Sequence, residues 1–360
     1  EKYCTWDDKY TGINPFLPAR SHLPRSLPGK VIRVLLALPL VVIRAPFVLI
    51  LSALLVIISS ICHSLPGPLS RLLRSTTEAP IARMLLLSLG FFGIPASYAN
   101  PRQVRVRADK AAKRLPGNIA ANASGGDVII ANHCSPFELI FMTSRFRPVF
   151  TVVDSEGTRL LVVSLLGAIR WSMSGTLAKG KGESLAQVVA ANRSRGPILV
   201  LPEGVPSNGR SLLKFHPVLD TADKISGLRA HLLVFRYPPS AFAPVFTAGS
   251  PAAFAFWIMG LPSHSMAVTM LPHVMMPSLL NAVQEYEAEM RTRAADPLLA
   301  SGALDGSPPA DAARTPGQAW GGFMRVLLAR LVGEKPVALG SADLAEFREF
   351  YNTGLRAEER

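Results

Sequence analysis

The chain has 360 residues, of which 49% are hydrophobic and only 18% charged, and its formal net charge is +13. This length permits one large domain or two ordinary ones, whereas the apolar composition is unusual for a soluble protein and favours membrane association. Residues 1–126 hold 16 Lys and Arg against 5 Asp and Glu, a balance of +11 that leaves +2 for the rest. Because this charge flanks an apolar segment and no aromatic-rich basic motif accompanies it, an anionic lipid surface is favoured and a nucleic-acid partner is not expected.

The cysteines point to a reducing environment. Cys4, Cys62 and Cys134 are odd in number and show neither a CxxC motif nor the spacing of metal ligands. We therefore expect a cytosol-facing chain without a bound metal or cofactor.

The N-terminal part predicts a lead-in followed by a membrane segment. Residues 1–30 are rich in proline without an apolar period, which indicates an extended lead-in. Residues 31–62 are strongly apolar, but as one helix, at ~1.5 Å per residue, they would exceed a hydrocarbon core of ~30 Å. A bend near Arg44 and Pro46 would solve this problem, and basic residues on both flanks favour cytosolic ends. We expect a membrane hairpin here, with a single span as the alternative.

From about residue 103, β-rich runs alternate with helical runs, which predicts a mixed, partly parallel α/β sheet flanked by helices. The predicted strands are 103–108, 127–132, 148–153, 197–203, 232–237 and 265–271. The predicted helices are 136–145, 157–169, 183–195, 279–293, 319–333 and 341–358. The expected organisation is a lead-in (1–30), a membrane hairpin or span (31–62), an α/β domain (63–275), a helix and flexible linker (276–318) and a C-terminal helical tail (319–360).

A first candidate block, N-H-C-S-P-F-E over residues 132–138, lies directly after an apolar strand. Ser135 and Glu138 form a capping-box pattern with Pro136 at the first helical position, so a helix is expected to begin there. His133 would then lie near backbone N–H groups at the helix N-terminus, as a general base oriented by Glu138, with those N–H groups stabilising an oxyanion. A capped turn without catalysis is the alternative, since capping alone would explain Glu138.

A second candidate block, L-P-E-G-V-P-S-N-G-R over residues 201–210, also follows an apolar strand and predicts a tight turn. Arg210 and Lys214, four residues apart on a possible helical face, could bind a phosphate or a polar head group. An ordinary turn with a solvated basic face is the alternative. The candidate substrate-binding residues are Glu203, Gly204, Ser207, Asn208, Gly209, Arg210 and Lys214.

Together, the two blocks resemble those of the glycerolipid acyltransferase (PlsC-like) family, which pairs N-H-x4-D with E-G-T-x-S-N-G. Residues 132–138 match the first block and residues 203–209 match the second. The runs at 209–215 and 235–238 resemble the branch that contains the lysophosphatidylcholine acyltransferases and the ancient ubiquitous protein. The N-terminal residues 1–18 resemble the fungal lysophosphatidic acid:oleoyl-CoA acyltransferases.

The resemblance implies transfer of a fatty acyl group from acyl-CoA to a hydroxyl group of a lysophospholipid, with lysophosphatidic acid as the leading acceptor. It also implies that no covalent enzyme intermediate forms. His133 would deprotonate the hydroxyl, Glu138 would orient His133, and the turn at 203–209 would help to bind the glycerol phosphate. Acyl-CoA is then a co-substrate, and membrane lipids are the partners.

This sequence departs from the family pattern at several positions. Glu138 stands in place of the usual Asp, and Val205 and Pro206 stand in place of Thr and Arg. The family's G-x-x-F-x-x-R block is reduced to Gly-Ala-Ile-Arg at 167–170. Arg210 or Lys214 would have to replace the missing phosphate ligand, so the identity of the head group is the part that the resemblance determines least.

These departures leave a second function open. A membrane-bound adaptor could keep the acyltransferase fold and recruit partners through its N-terminal anchor and its C-terminal tail. A hydrophobic hairpin with cytosolic ends fits a bilayer as well as the monolayer of a lipid droplet. We therefore expect the endoplasmic reticulum membrane, the lipid droplet or both, with the catalytic domain facing the cytosol.

Overall fold

A computed structural model describes residues 3–9, 11–18, 27–65, 67–100, 115–238, 243–276, 281, 284 and 315–358. In these residues the helices are α1 (Leu27–Ser64), α2 (Gly67–Leu73), α3 (Ala79–Ser88), α4 (Pro136–Arg145), α5 (Leu165–Ser174), α6 (Leu185–Asn192), α7 (Pro251–Gly260), α8 (Pro316–Val332) and α9 (Ser341–Glu358). The strands are β1 (Ala96–Tyr98), β2 (Val128–Ala131), β3 (Val149–Val153), β4 (Leu160–Val163), β5 (Ile198–Val200), β6 (Ala230–Arg236) and β7 (Ala267–Leu271).

The seven strands form one mixed sheet in the order β1-β7-β6-β2-β5-β3-β4. The central strands β6, β2, β5 and β3 are parallel neighbours. The pairs β6–β7 and β3–β4 are antiparallel, and β1 is parallel to β7. The predicted fold class, a mixed and partly parallel α/β sheet with flanking helices, is confirmed.

Most of the predicted strands are present, but the helix predicted at 157–169 is wrong in its first half. Residues Leu160–Val163 form β4, and the helix begins only at Leu165. The Asp154 carboxylate accepts hydrogen bonds from the N–H groups of Thr158 (3.0 Å) and Arg159 (3.1 Å), which turns the chain back along β3. A four-residue apolar run has no periodicity that separates strand from helix. The strand predicted at 103–108, and almost all of the helix predicted at 279–293, lie outside the described residues.

Both faces of the sheet are buried. Alternate side chains along its strands belong to two different apolar clusters. In β2, Val128 and Ile130 belong to one apolar cluster, and Ile129 and Ala131 belong to the other. The first cluster includes residues of α6 and α8, and the second includes residues of α1, α3, α4 and α5. Because α8 contributes fully buried side chains to the first cluster, this part of the C-terminal region packs into the same core as the sheet.

The N-terminal apolar segment differs from the expected hairpin. Residues Leu27–Ser64 form one continuous helix with Pro39 and Pro46 inside it, so the interruption that a hairpin requires is absent from these residues. A proline removes one backbone hydrogen bond and can be accommodated by a kink without ending the helix. Arg44 does not break the helix either, since its guanidinium donates to the carbonyl oxygens of Met259 (3.1 Å) and Pro262 (2.7 Å) near the end of α7.

Much of α1 presents apolar side chains to the outside. Val31–Ser64 is long and apolar enough to cross a membrane, judged by length and composition. Leu36 is 75% exposed and Leu49 is 69% exposed, which would be unfavourable in water for so many side chains together. The helix therefore indicates membrane association.

Candidate functional site

Both candidate blocks lie at the same edge of the sheet. β2 and β5 are parallel neighbours, and residues 132–138 and 203–209 follow their carboxyl ends. Ligand sites of open α/β sheets collect at this edge. The side chain of Asn132 anchors the first block, because it donates to the Phe235 carbonyl oxygen (3.0 Å) and accepts from the Phe235 N–H (2.8 Å) on β6.

The helix predicted from the first block begins where expected, but its acidic residue bonds differently. Ser135 is the N-cap of α4 and Pro136 is its first residue. The Glu138 carboxylate accepts from the Cys134 N–H (3.0 and 3.1 Å) and lies 2.9 Å from His133 Nδ1. Its contacts are therefore with the residues before the N-cap, which a capping role alone would not produce.

His133 is held between two side chains. Its Nδ1 faces Glu138 Oε2, and its Nε2 lies 2.7 Å from Ser172 Oγ on α5. His133 is 0% exposed, while Glu138 and Ser172 are each 1% exposed. If Nδ1–H donates to the carboxylate, Nε2 is the acceptor for a hydroxyl proton. The imidazole thus lies between a carboxylate at Nδ1 and a hydroxyl group at Nε2, which is the arrangement that a general base requires.

Two residues of α5 next to His133 carry no recognisable signal in the sequence. The Trp171 ring stacks on the His133 ring, with centroids 5.4 Å apart and planes 15° apart, and Ser172 follows it. Residues 167–170, compared above with the G-x-x-F-x-x-R block, lie on the same helix. The described part of the chain thus closes His133 off from solvent through α5.

The backbone N–H groups expected to stabilise an oxyanion are already bonded. The His133 N–H donates to Glu203 Oε1 (3.0 Å), and the Cys134 N–H donates to Glu138. Burial raises the pKa of the Cys134 thiol well above its ordinary value, so that this side chain is neutral near pH 7. The described site therefore places an imidazole between a carboxylate and a hydroxyl group, and these two N–H groups are bonded within the chain.

Glu203 links the two blocks. Its Oε1 accepts from the His133 N–H, and its Oε2 accepts from the Leu213 N–H (2.9 Å). Burial raises the pKa of Glu203 to about 8, against the two N–H donors that lower it. The Ser207 N–H also donates to the His133 carbonyl oxygen (2.9 Å), so the second block braces the backbone of the first.

The glycines of the second block allow its tight turn. Gly204 has φ 72° and Gly209 has φ 76°, both in the left-handed region that favours glycine. A Cβ at Gly204 would lie 2.6 Å from the His216 ring. The Ser207 hydroxyl accepts from the Gly209 N–H (3.3 Å), which stabilises the turn from within.

Asn208 holds the N-terminal lead-in against the second block. Its side-chain amide donates to the carbonyl oxygens of Asn14 (2.8 Å) and Leu17 (3.0 Å), and its own N–H donates to Pro15 (2.7 Å). Trp6 and Phe16 of the lead-in pack in one buried cluster with Val205 and with Phe347 of α9. This predicted substrate-binding residue is thus engaged by the chain itself.

Arg210 and Lys214 are exposed but do not share a helical face. Residues 210–214 form a bend and a single bridge rather than a helix, so the helical spacing expected for this pair is wrong. Leu212 forms a bridge with Pro336, and the Lys214 N–H donates to the Leu339 carbonyl oxygen (2.9 Å). The backbone of this segment is therefore hydrogen-bonded to the chain that precedes α9. In the part of the chain that the structure describes, no group of His, Cys, Asp and Glu is arranged to hold a metal ion.

Comparisons with known proteins agree with the motifs. The chain is 28% identical over 256 residues to a curated protein of Schizosaccharomyces pombe that carries the provisional name lysophosphatidic acid:oleoyl-CoA acyltransferase. The match covers 68% of this chain and 76% of that protein. No family model matches the chain, and no solved structure matches it significantly. The similarity supports a relationship between this chain and the acyltransferase family.

Proposed function

We propose that the protein is a membrane-associated acyltransferase that moves a fatty acyl group from acyl-CoA to the hydroxyl group of a lysophospholipid, with lysophosphatidic acid as the acceptor. The observation that supports the proposal most is the buried Glu138–His133 pair. The Nε2 atom of His133 is hydrogen-bonded to the Ser172 hydroxyl group. The name of the fission-yeast relative, which mentions lysophosphatidic acid and oleoyl-CoA, supports the choice of substrates.

In the proposed reaction the acceptor hydroxyl takes the place of Ser172 Oγ beside His133 Nε2. Nε2 removes the hydroxyl proton while the oxygen attacks the thioester carbon of acyl-CoA, and the carbon–sulfur bond breaks. The imidazolium then returns the proton to the departing thiolate, so free CoA and the acylated lipid leave together. Glu138 keeps Nδ1 protonated and stabilises the imidazolium, as a carboxylate does for other catalytic histidines.

Substrates must gain access to a histidine that is fully buried. Trp171 and Ser172 lie directly over its ring and its Nε2, so α5 is the element that has to move when the acceptor binds. Glu203 to Gly209 and the exposed Arg210 and Lys214 are proposed to serve the acceptor side. This role is supported by the position of the second block at the same sheet edge, beside His133.

The test is release of free CoA by the purified full chain in detergent, with acyl-CoA and a panel of lysolipid and glycerol acceptors. We expect turnover with lysophosphatidic acid, and His133→Ala should lower it about 10²–10⁴-fold, the usual contribution of a general base. His63→Ala, at the end of α1, is the matched control and should leave turnover unchanged. Absence of His133-dependent turnover with every acceptor would contradict the proposal.

A second candidate function is a membrane-bound adaptor with the same fold. It is favoured by the second block, where Asn208 is engaged by the lead-in and Val205 is buried. If this were the function, His133→Ala would leave the cellular phenotype of the gene intact. Deletion of 319–360 would not test it cleanly, because α8 supplies core side chains, whereas Glu346→Lys with Glu349→Lys on the exposed side of α9 leaves the core in place and should abolish that phenotype.

We further propose that the protein resides at the endoplasmic reticulum membrane, the lipid droplet or both, with the site facing the cytosol. The support is the exposed apolar helix α1 and the basic N-terminal region. Fluorescent tagging after oleate loading separates the two locations. An exclusively bilayer pattern would count against the lipid droplet.

A further inference from the structure

A cavity of about 490 Å³ lies at the edge of the sheet opposite His133. It is lined by residues that precede three parallel strands, namely Gly125 before β2, Arg147 before β3 and Gly196 before β5, together with residues of α2. Since the two candidate blocks follow the carboxyl ends of β2 and β5, this cavity is separate from the proposed acyl-transfer site.

Four arginines line the cavity, and none of its described lining residues is acidic. These arginines are Arg71, Arg74, Arg147 and Arg195. Several cations sharing one cavity repel each other unless an anion lies between them. The Glu78 carboxylate, whose Oε2 is 3.7 Å from Arg74 Nε, lies outside the lining.

Three of the four guanidinium groups are positioned by backbone carbonyl oxygens of the sheet edge and of α1. Arg71 donates to the Ser194 carbonyl oxygen, and Arg74 donates to that of Pro148 (3.1 Å). Arg195 donates to the His63 carbonyl oxygen (3.1 Å) at the end of α1. Each guanidinium has five N–H donors, so this fixed geometry leaves donors to bind a ligand. Arg74 is 8% exposed, and its Nε is buried without a hydrogen bond.

The mouth of the cavity borders an apolar surface. Leu72 of α2 lines the cavity and is 60% exposed, and Leu69 on the same helix is 52% exposed. The helix follows directly after α1, whose apolar side chains are also exposed. A ligand that fits both surroundings has an anionic group and adjacent hydrocarbon, as a phospholipid does.

We propose that this cavity binds the phosphate head group of an anionic glycerophospholipid, phosphatidic acid in type, with its acyl chains along α2. Arginine forks match phosphate oxygens, and a phosphate monoester carries more charge than a diester. The volume exceeds the needs of a lone phosphate and lies within the range of small-molecule pockets. The ligand is distinct from the acceptor bound beside His133, so the two proposals can fail separately.

The test counts short-chain lipids bound to the full chain in non-ionic detergent by native mass spectrometry, using dioctanoyl phosphatidic acid and dioctanoyl phosphatidylcholine. The variant is Arg71→Gln with Arg147→Gln, and the matched control is Arg159→Gln, an exposed arginine in the β3–β4 turn. We expect the double variant to retain one phosphatidic acid molecule fewer than wild type, or to bind it at least about tenfold more weakly. The control should bind as wild type does.

His133-dependent CoA release by the double variant checks the fold and separates this site from the proposed chemistry. It should remain within about twofold of wild type, as expected for residues at the opposite edge. Equal retention of phosphatidic acid by the double variant and the control would overturn the proposal, as would equal retention of the two lipids by wild type. Displacement of the bound lipid by millimolar inorganic phosphate, but not by chloride at equal ionic strength, would assign the cavity to a soluble phosphate and overturn the lipid assignment.

Discussion

The turns that follow β2 and β5 come from neighbouring parallel strands, but they use their side chains in different ways. In the first turn, the side chains of His133 and Glu138 bond to each other, and His133 also bonds to a hydroxyl of α5. In the second turn, Glu203 and Asn208 bond to backbone groups of the first turn, of Leu213 and of the lead-in. One turn presents reactive groups, and the other holds the surrounding chain in place.

A residue of one turn can thus position the backbone of its neighbour instead of presenting its own side chain. Glu203 positions the His133 backbone, and Ser207 does the same through its N–H group. If the two turns differ in this way, substitutions of His133 and Glu138 change the rate of the proposed reaction, whereas substitutions of Glu203 and Asn208 also lower stability, besides any effect on acceptor binding.

The largest effect is expected for Glu138→Gln. The amide would donate to His133 Nδ1 and leave Nε2 protonated, so the imidazole could no longer accept the hydroxyl proton. We expect kcat to fall about 10²–10⁴-fold with little change in KM. Steady-state CoA release measures this, with the exposed Glu183→Gln as the control. A kcat equal to that of the control would place Glu138 in a purely structural role.

Glu203 should make stability depend on pH. Burial raises the pKa of the folded Glu203 carboxyl from its ordinary value of 4.5 to about 8. Between these values the folded protein holds a proton that the unfolded chain has released, so the free energy of unfolding falls as pH rises, by up to about 1.4 kcal/mol per unit. Thermal unfolding at several pH values between 5 and 9 measures this dependence. Glu203→Gln should flatten it, and an unchanged slope in that variant would assign the effect to another group.

Asn208→Ala should weaken the attachment of the lead-in. The side chain donates to the carbonyl oxygens of Asn14 and Leu17 and accepts from the Arg210 N–H (3.1 Å). Loss of these bonds should lower the free energy of unfolding by about 1–3 kcal/mol. Denaturant unfolding and protease cleavage within residues 3–18 report the change. The exposed Arg210→Ala is the control, and equal stability of the two variants would contradict the structural role.

The smallest effect is expected for Ser172→Ala. If its hydroxyl occupies the place of the acceptor hydroxyl, its removal leaves His133 free for substrate, and kcat should stay within about fivefold of wild type. Ser174→Ala, whose hydroxyl donates to the Trp171 carbonyl oxygen, is the control. A loss comparable to that of His133→Ala would instead give Ser172 a part in the chemistry, and a mass increase by one acyl group would show a covalent intermediate.

Local sequence patterns predicted much of the fold. The apolar runs around β2, β3, β5, β6 and β7 were sufficient for the central sheet, and Ser135 with Pro136 marked the start of α4. The pattern failed at Leu160–Val163, because a short apolar run becomes a strand or a helix according to its partner strand. At residues 31–62 the preferred hairpin is replaced by one continuous helix, as in the single-span alternative, and Arg44 contacts the end of α7.

The same distinction between local pattern and tertiary contact applies to the candidate site. The sequence by itself determined that His133 and Glu138 lie near each other, because five residues across a strand-to-helix turn keep two side chains within reach. Only the tertiary structure decided what lies at Nε2, where Ser172 and Trp171 arrive from α5, and what Asn208 binds, where residues 14–17 return across the second turn. Such contacts join segments far apart in the chain and depend on how whole helices pack, which no local pattern encodes.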